Sequence, residues 1–139
     1  MAYEQNPYAI KITLVADSSL SASSQFLFVK TGSQITSTTS AVAVTGATDR
    51  PIGVLQNQPV VRSSGYSEAE VTVSGVTKVV AGGNISIGSI LTTNASGQAV
   101  VAVPGTDTTK FILGTALTAG VSGDYVTAVI NCGAASRAA

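Results

Sequence analysis

"GGNISIGSILTTNASGQAVVAV", residues Gly82 to Val103, decides between a fibre and a compact domain. Every third position reads Gly82, Ile85, Gly88, Leu91, Asn94, Gly97, Val100 and Val103, as a triplet repeat would. The spacing is absent before Gly82 and fades after Val103. A solenoid needs several stacked repeats, and a collagen helix needs glycine at every third place. Neither condition is met, so the segment reads as strands around turns. Asn94-Ala95-Ser96-Gly97 places Asn first and Gly fourth, the positions each favours in a type I turn. It therefore joins "SILTT" to "QAVVAV" as a hairpin. Gly82-Gly83-Asn84 and Gly88 mark an irregular connection before that hairpin, with room for one helical turn at Ile85 to Ile87.

Upstream, "EAEVTVS" (Glu68 to Ser74) alternates strictly, with Ala69, Val71 and Val73 inward and Glu68, Glu70, Thr72 and Ser74 outward. Gly75 is read as its end, and "VTKVV" as a further strand. A longer echo spans the chain. "RPIGVLQNQPVVRSSGYSEAEVTVSG" and "KFILGTALTAGVSGDYVTAVINC" both run from a basic residue through an apolar pair and a Gly into a strand. Each then has a Gly-containing turn, an acidic residue and an alternating strand. Gly53 corresponds to Gly114, and Glu68 or Glu70 to Asp124. The reading is an all-β fold, a small barrel or sandwich with two similar hairpins flanking a central unit. The expected core is Val71, Val73, Leu91, Val101, Ile112, Leu117, Val126 and Ile130.

The N-terminal third is less sharply patterned. Residues 1–10 form an extended N-terminal arm, and 11–139 one β-rich domain. Within that domain 11–48 is Ser/Thr-rich and 49–131 is the best-defined core. Ile10, Ile12 and Leu14 alternate with Lys11 and Thr13 as a strand should, starting after Pro7, which cannot donate a ladder hydrogen bond. Asp17 to Ser24 reads as a loop, "QFLFVK" (Gln25 to Lys30) and "AVAV" (Ala41 to Val44) as strands. "TGSQITSTTS" between them reads as a flexible connection with too little apolar surface to order itself.

Composition narrows the function. The 139 residues are 45% hydrophobic but only 5% aromatic and 10% charged, with zero net charge. A chain of this size buries roughly two-thirds of its unfolded surface, enough for one sizeable core. Val, Ile and Thr favour strands. The seven basic residues are scattered, which argues against a nucleic-acid partner, since such binding rests on Lys and Arg at phosphates. No apolar run approaches the ~20 residues that cross a bilayer. "MAYEQNPYAI" has no basic n-region and apolar h-region, so synthesis in the cytoplasm is expected. Cys132 stands alone and reads as a small buried apolar residue.

Enzyme chemistry finds no purchase. The chain has no histidine, the commonest general base and metal ligand. Gly65-Tyr66-Ser67-Glu68-Ala69 begins like a nucleophile elbow but lacks its last Gly and any His partner. Glu68 and Glu70, roughly 7 Å apart along a strand, read as a solvated edge rather than a catalytic pair. Asp49, Asp107 and Asp124 have no calcium-loop motif around them. The expectation is no catalytic activity, no cofactor and no bound metal.

One run resembles a known family: "IGVLQN…EAEVTVSGVTKVVAGGNISIGSILTTNASGQAVVAV…ILGTALTAGVSGDYVTAVI", covering about Pro51 to Asn131. Its order of Gly-Val, a strand ending Ser-Gly-Val, Ala-Gly, an apolar-x-x-Gly step, a Gly turn, Leu-Gly-x-Ala-Leu and a Val-rich strand is similar to the head-decoration, or capsid-cement, proteins of tailed bacteriophages. The resemblance implies a β-tulip-like sandwich on the outer capsid surface of a virion. There it would clamp major capsid protein subunits as a homo-oligomer, a trimer being favoured. It also implies an extended terminus that reaches the coat. Tyr3, Pro7, Tyr8 and Ile10 are the expected capsid-binding residues, the tyrosines offering contact area with few rotatable bonds. Two other readings stand beside it: another virion structural module, of tail or fibre, and an extracellular carbohydrate-binding β-domain. The second is disfavoured because there is no Trp and only four Tyr to stack on sugars.

Overall fold

The computed structural model describes residues 9–35, 37–60 and 67–139. It is nearly all-β, with eleven strands among the described residues: β1 (Ile10–Ala16), β2 (Phe28–Ile35), β3 (Thr38–Ala43), β4 (Gly53–Leu55), β5 (Ser67–Val80), β6 (Ile90–Thr93), β7 (Ala99–Val101), β8 (Phe111–Ile112), β9 (Gly114–Ala116), β10 (Tyr125–Asn131) and β11 (Ser136–Arg137). Two single 3-10 turns, Ala22–Ser24 and Cys132–Ala134, are the helical content among the described residues. Nine strands share one sheet in the order β1-β3-β2-β4-β5-β10-β9-β6-β7, and β8 pairs with β11 separately. A further pairing of β1 with β5 closes the first five strands into a barrel. The remaining strands form a second lobe with the far half of β5. Its ends are drawn together by a bridge between Ala81 and Ala99 and by Gly82 N–H donating to the Ala99 carbonyl at 2.8 Å.

β5 spans both units. Its 14 residues exceed the usual strand length of 3–10. Ser67–Ser74 pairs with β1, Thr72 and Val71 pair with β4, and Ser74–Val80 pairs with β10. The expected break at Gly75 does not occur. Gly75 instead adopts φ +130°, a conformation that L side chains rarely take, and carries the strand on from one lobe to the other.

Two cores result. The barrel encloses Ala16, Leu20, Val29, Ala41, Leu55, Ala69 and Val71. The second core gathers Val79, Ile85, Leu91, Leu113, Val126 and Ile130 with smaller residues, and also takes Phe28 and Val54. Neighbours in sequence thus serve opposite cores: Phe28 and Val29, then Val54 and Leu55. Strand side chains alternate between faces, so Phe28 and Val29 at the start of β2 form, with β4, a wall buried on both sides. Thr72, expected outward, is buried because it lies on that wall opposite Val54.

Both expected hairpins are present. β4 pairs with β5 and β9 with β10, all antiparallel. The glycines that correspond do the same work. A Cβ on Gly53 would overlap the Thr72 carbonyl oxygen, and one on Gly114 the Val129 carbonyl oxygen. The Asn94–Gly97 turn joins β6 to β7, with the Asn94 carboxamide oxygen accepting from Ser96 and Gln98 N–H.

Other expectations are corrected. The described residues of Thr31 to Ser40 are not an unordered connection. Thr31 to Ile35 belong to β2 and Thr38 to Ser40 to β3, because Thr and Ser fit a pleated surface and the ladder Lys30–Val42, Gln34–Thr39 and Ile35–Thr38 satisfies their backbones. "QFLFVK" enters its strand only at Phe28, since Phe26 sits at φ +64°. The strand in "PIGVLQNQPV" is confined to Gly53–Leu55. Ile85 is extended, bridging Gly120, and Ser86 to Ser89 form a turn, so no helical turn is present there. In the core, Val71, Val73, Leu91, Val126 and Ile130 are buried as expected. Val101 and Leu117 are exposed and Ile112 is half-buried. The inward residues of "ILGTAL" are Leu113 and Ala116, one position from those expected, while Val101 ends the outermost strand of the sheet.

Candidate interaction surfaces

Of the expected capsid-binding residues, Tyr3, Pro7 and Tyr8 lie outside the described residues. Ile10 opens β1, paired with Ser74, and its side chain is exposed. The register shift between Ile10 and Lys11 removes it from the inward set that Ile12 and Leu14 continue.

The acidic residues act as ties within turns. Asp49 accepts from the Lys30 ammonium at 2.7 Å and from the backbone N–H groups of Thr45 and Gly46. The Lys30 hydrogen bond, then the Thr45 N–H, brings its pKa down from 3.8 to about 2. Asp107 is lowered too, first by the Val103 N–H and then by Lys110 at 3.0 Å. Asp124 accepts from the Val121 N–H. The three do not converge, and among the described residues no three His, Cys, Asp or Glu side chains come together. Burial pushes the Cys132 thiol up to about 12, so it carries no thiolate at neutral pH. Among the described residues no helix is long and apolar enough to cross a membrane.

The distinctive surface is the outer face of the second lobe. Cross-strand partners share a face, so registration places Val76, Val129, Thr115 and Ile90 in one row across β5, β10, β9 and β6. Lys78 pairs with Thr127 in the next row but one, and Val80 with Tyr125 beyond it. Val76, Val129 and Tyr125 are 38%, 41% and 62% exposed. A sheet with one face on a core normally turns polar residues to water. Here Lys78 is the one charge among the six outward positions Val76, Lys78, Val80, Tyr125, Thr127 and Val129. At the edge of this face the Phe26 ring meets Tyr125 edge-on, with centroids 5.5 Å apart, and Lys78 sits over Phe26 at 6.0 Å. The positive φ of Phe26 is held by its N–H donating to Leu55 O at 2.7 Å and by Val80 N–H donating to Phe26 O at 3.0 Å. Tyr125 combines a rigid aromatic body with a polar tip, the profile of an interface anchor.

Sequence reasoning missed this face. Its signal is the loss of alternation: "VTKVV" and "YVTAVI" carry apolar residues on both parities, unlike "EAEVTVS".

No protein-family model matches the chain, and no curated protein matches it. Among solved structures it is similar to the base of a bacteriophage phi29 head fibre, the N-terminal base of gp8.5. The TM-score is 0.64 at 22% sequence identity, over 89% of this chain and 95% of that one. At this identity the likeness is one of fold. It is a likeness to a head fibre base rather than to a decoration protein.

Proposed function

We propose that this protein is a structural component of a tailed-phage virion, seated on the outside of the head against the major capsid protein. The observation that carries this reading is the fold shared with a head fibre base over almost the full length of both chains. The low charge supports a protein partner, and the apolar outer face of the second lobe supports a life spent docked. In this reading the protein is a trimer without catalytic activity, cofactor or metal, and serves as a head-attached base. Cementing of capsid subunits is the second reading, favoured by the order of motifs from Pro51 to Asn131.

Cryo-electron density of the source virion tests the location: the double-lobed module should sit on the head exterior. Density on the tail, or none, overturns it. Virions lacking the protein separate the two roles. Heads that lose DNA on osmotic shock indicate cement; heads that stay intact indicate a base for a projecting structure.

A further inference from the structure

We propose that β1 is an exchangeable strand, which leaves the edge of β5 in its own copy and closes the barrel of a second copy of this chain. Two strands of seven residues lie end to end along one edge of β5. β1 pairs with Ser67–Ser74 and β10 with Ser74–Val80, so Ile10 and Asn131 both end at Ser74. Their other sides differ. β10 is held from Thr127 to Asn131: Ala128 to Ile130 register with β9, the Thr127 carbonyl accepts from Leu117 N–H at 2.8 Å, and Asn131 N–H donates to the Leu113 carbonyl at 2.9 Å. Among the described residues, β1 registers with β3 only at Val15–Ser40 and Ala16–Ala41. Burial follows the same division. Val126, Ala128 and Ile130 of β10 are buried, whereas Ala16 is the one buried residue of β1. A segment with few buried apolar contacts, bonded mainly on one side, opens at a lower free energy than the whole fold.

Opening bares the β5 edge from Ser67 to Ser74 and the side of the barrel core at Ala69 and Val71. An unpaired strand edge is a template for another chain. Its occupant must be extended and must set apolar side chains opposite Val71 and Ala69. Ile12 and Leu14 do this in β1, and both pack against the barrel core. A second copy carries that same strand in the same register, so exchange recovers every β1 contact that opening breaks. This selects a second copy over a strand of another sequence. The remaining cost lies in the hinge. Between β1 and the buried Leu20, Asp17 N–H donates to the Ala41 carbonyl at 3.0 Å, and Ser19 Oγ accepts from Ala43 N–H at 3.0 Å. Straightening Asp17 to Ser19 releases these ties and carries β1 outward while Leu20 stays in the core. Exchange of an identical element between protomers is a low-cost route to oligomers.

Mixed cysteine variants of the full chain test the exchange. Thr13 and Glu70 are registered partners, both exposed. Such partners lie about 4.5–5.5 Å apart between Cα atoms, within reach of a disulfide. Thr13→Cys and Glu70→Cys chains, incubated together at high micromolar concentration and then oxidised, should form a covalent mixed dimer of twice 13.8 kDa. Either variant oxidised alone should form little of it, since Thr13 does not register with Thr13, nor Glu70 with Glu70. Cys132 is buried and does not compete. In hydrogen exchange on the wild type, β1 amides should exchange about tenfold or more faster than β10 amides. A mixture that yields no more dimer than the single variants overturns the inference, as does a β1 protected as strongly as β10. Neither readout needs a virion, so failure of the head-base reading leaves both unchanged.

Discussion

On either side of Gly75, β5 works in two different settings. In the barrel half, Ala69 and Val71 point into the small core and the side chains opposite them are glutamates, or Thr72 where the shared wall covers the strand. In the second-lobe half, Thr77 and Val79 point inward while Val76, Lys78 and Val80 point out. Backbone pairing is antiparallel and registered in both halves, so the difference lies in what the outer side chains meet. Glutamate outward specifies water. Valine outward, on a strand whose inner face is already filled, leaves apolar surface exposed.

The two corresponding glycines offer the sharpest way to break this comparison. Gly53→Ala and Gly114→Ala each place a Cβ against a carbonyl of the partner strand, with no flexible side chain to yield. Each should cost about 3 kcal/mol by forcing the β4–β5 or β9–β10 pair apart. At Gly83, where a Cβ would meet nothing within 4 Å, alanine should change stability by no more than about 0.5 kcal/mol. Thermal unfolding of the three variants decides it. If Gly53→Ala is harmless while Gly114→Ala is not, the hairpins are alike in sequence only.

Core truncations come next. Leu55 is fully buried in the barrel and Leu91 in the second lobe. Leucine to alanine at either should cost about 2–5 kcal/mol. Because Phe28/Val29 and Val54/Leu55 divide between the two cores, both variants should still melt in one transition. Two resolved transitions would mean that the lobes unfold separately and that the wall does not couple them.

What could be read from sequence follows from how local each signal is. The Asn94–Gly97 hairpin and the inward set Ala69, Val71, Val73 were legible because a turn or an alternation lies within a few residues. The barrel's Ser/Thr strands were not. Gln34 and Thr39 look like linker until they are paired, and the pairing itself orders them. Thr72 was misread because the alternation rule assumes one buried face, whereas a wall between two cores has two. Of the residues expected to bind a capsid, Tyr3, Pro7 and Tyr8 lie outside the described residues, and Ile10 is exposed at a strand start. The face carrying Val76 and Val129 escaped notice because outward valines look like core until the register is known.

Acid separates the barrel from the second lobe more gently. Asp49, lowered to about 2 from 3.8, contributes stability that is fully present above pH 4 and lost as pH falls toward 2. Asp49→Asn should therefore lower stability by about 1 kcal/mol or less at pH 7, since the pair is partly exposed. The deficit should shrink as pH falls below 4 and be mostly gone at pH 2, where about half of the wild-type carboxylate is itself protonated. Asp107→Asn should follow the same direction, since the Val103 N–H and Lys110 hold that carboxyl below its ordinary value too. Denaturant titrations across pH 2–7 would show it. A deficit that stays constant through that range would mean that ionisation of Asp49 is irrelevant.

The smallest expected effect is in the second lobe and has the opposite sign. Among the described residues, Thr92 has the one buried side-chain polar atom without a hydrogen-bond partner. Its neighbours in type are satisfied: Thr93 Oγ1 donates to the Asn94 carbonyl at 2.9 Å, and Thr77 Oγ1 accepts from Gln56 Nε2 at 2.8 Å. A hydroxyl buried without a partner carries a desolvation cost of about 1–3 kcal/mol. Valine has nearly the same shape and no such atom, and its branched Cβ suits β6 equally well. Thr92→Val should leave stability unchanged or raise it by about 1 kcal/mol. Thr93→Val, which deletes a made hydrogen bond and strips the Asn94 carbonyl of a donor, should lower it by about 1 kcal/mol. Paired urea titrations of these variants test the contrast at adjacent positions of one strand. A loss at Thr92 equal to that at Thr93 would show that the Thr92 hydroxyl has a partner in solution.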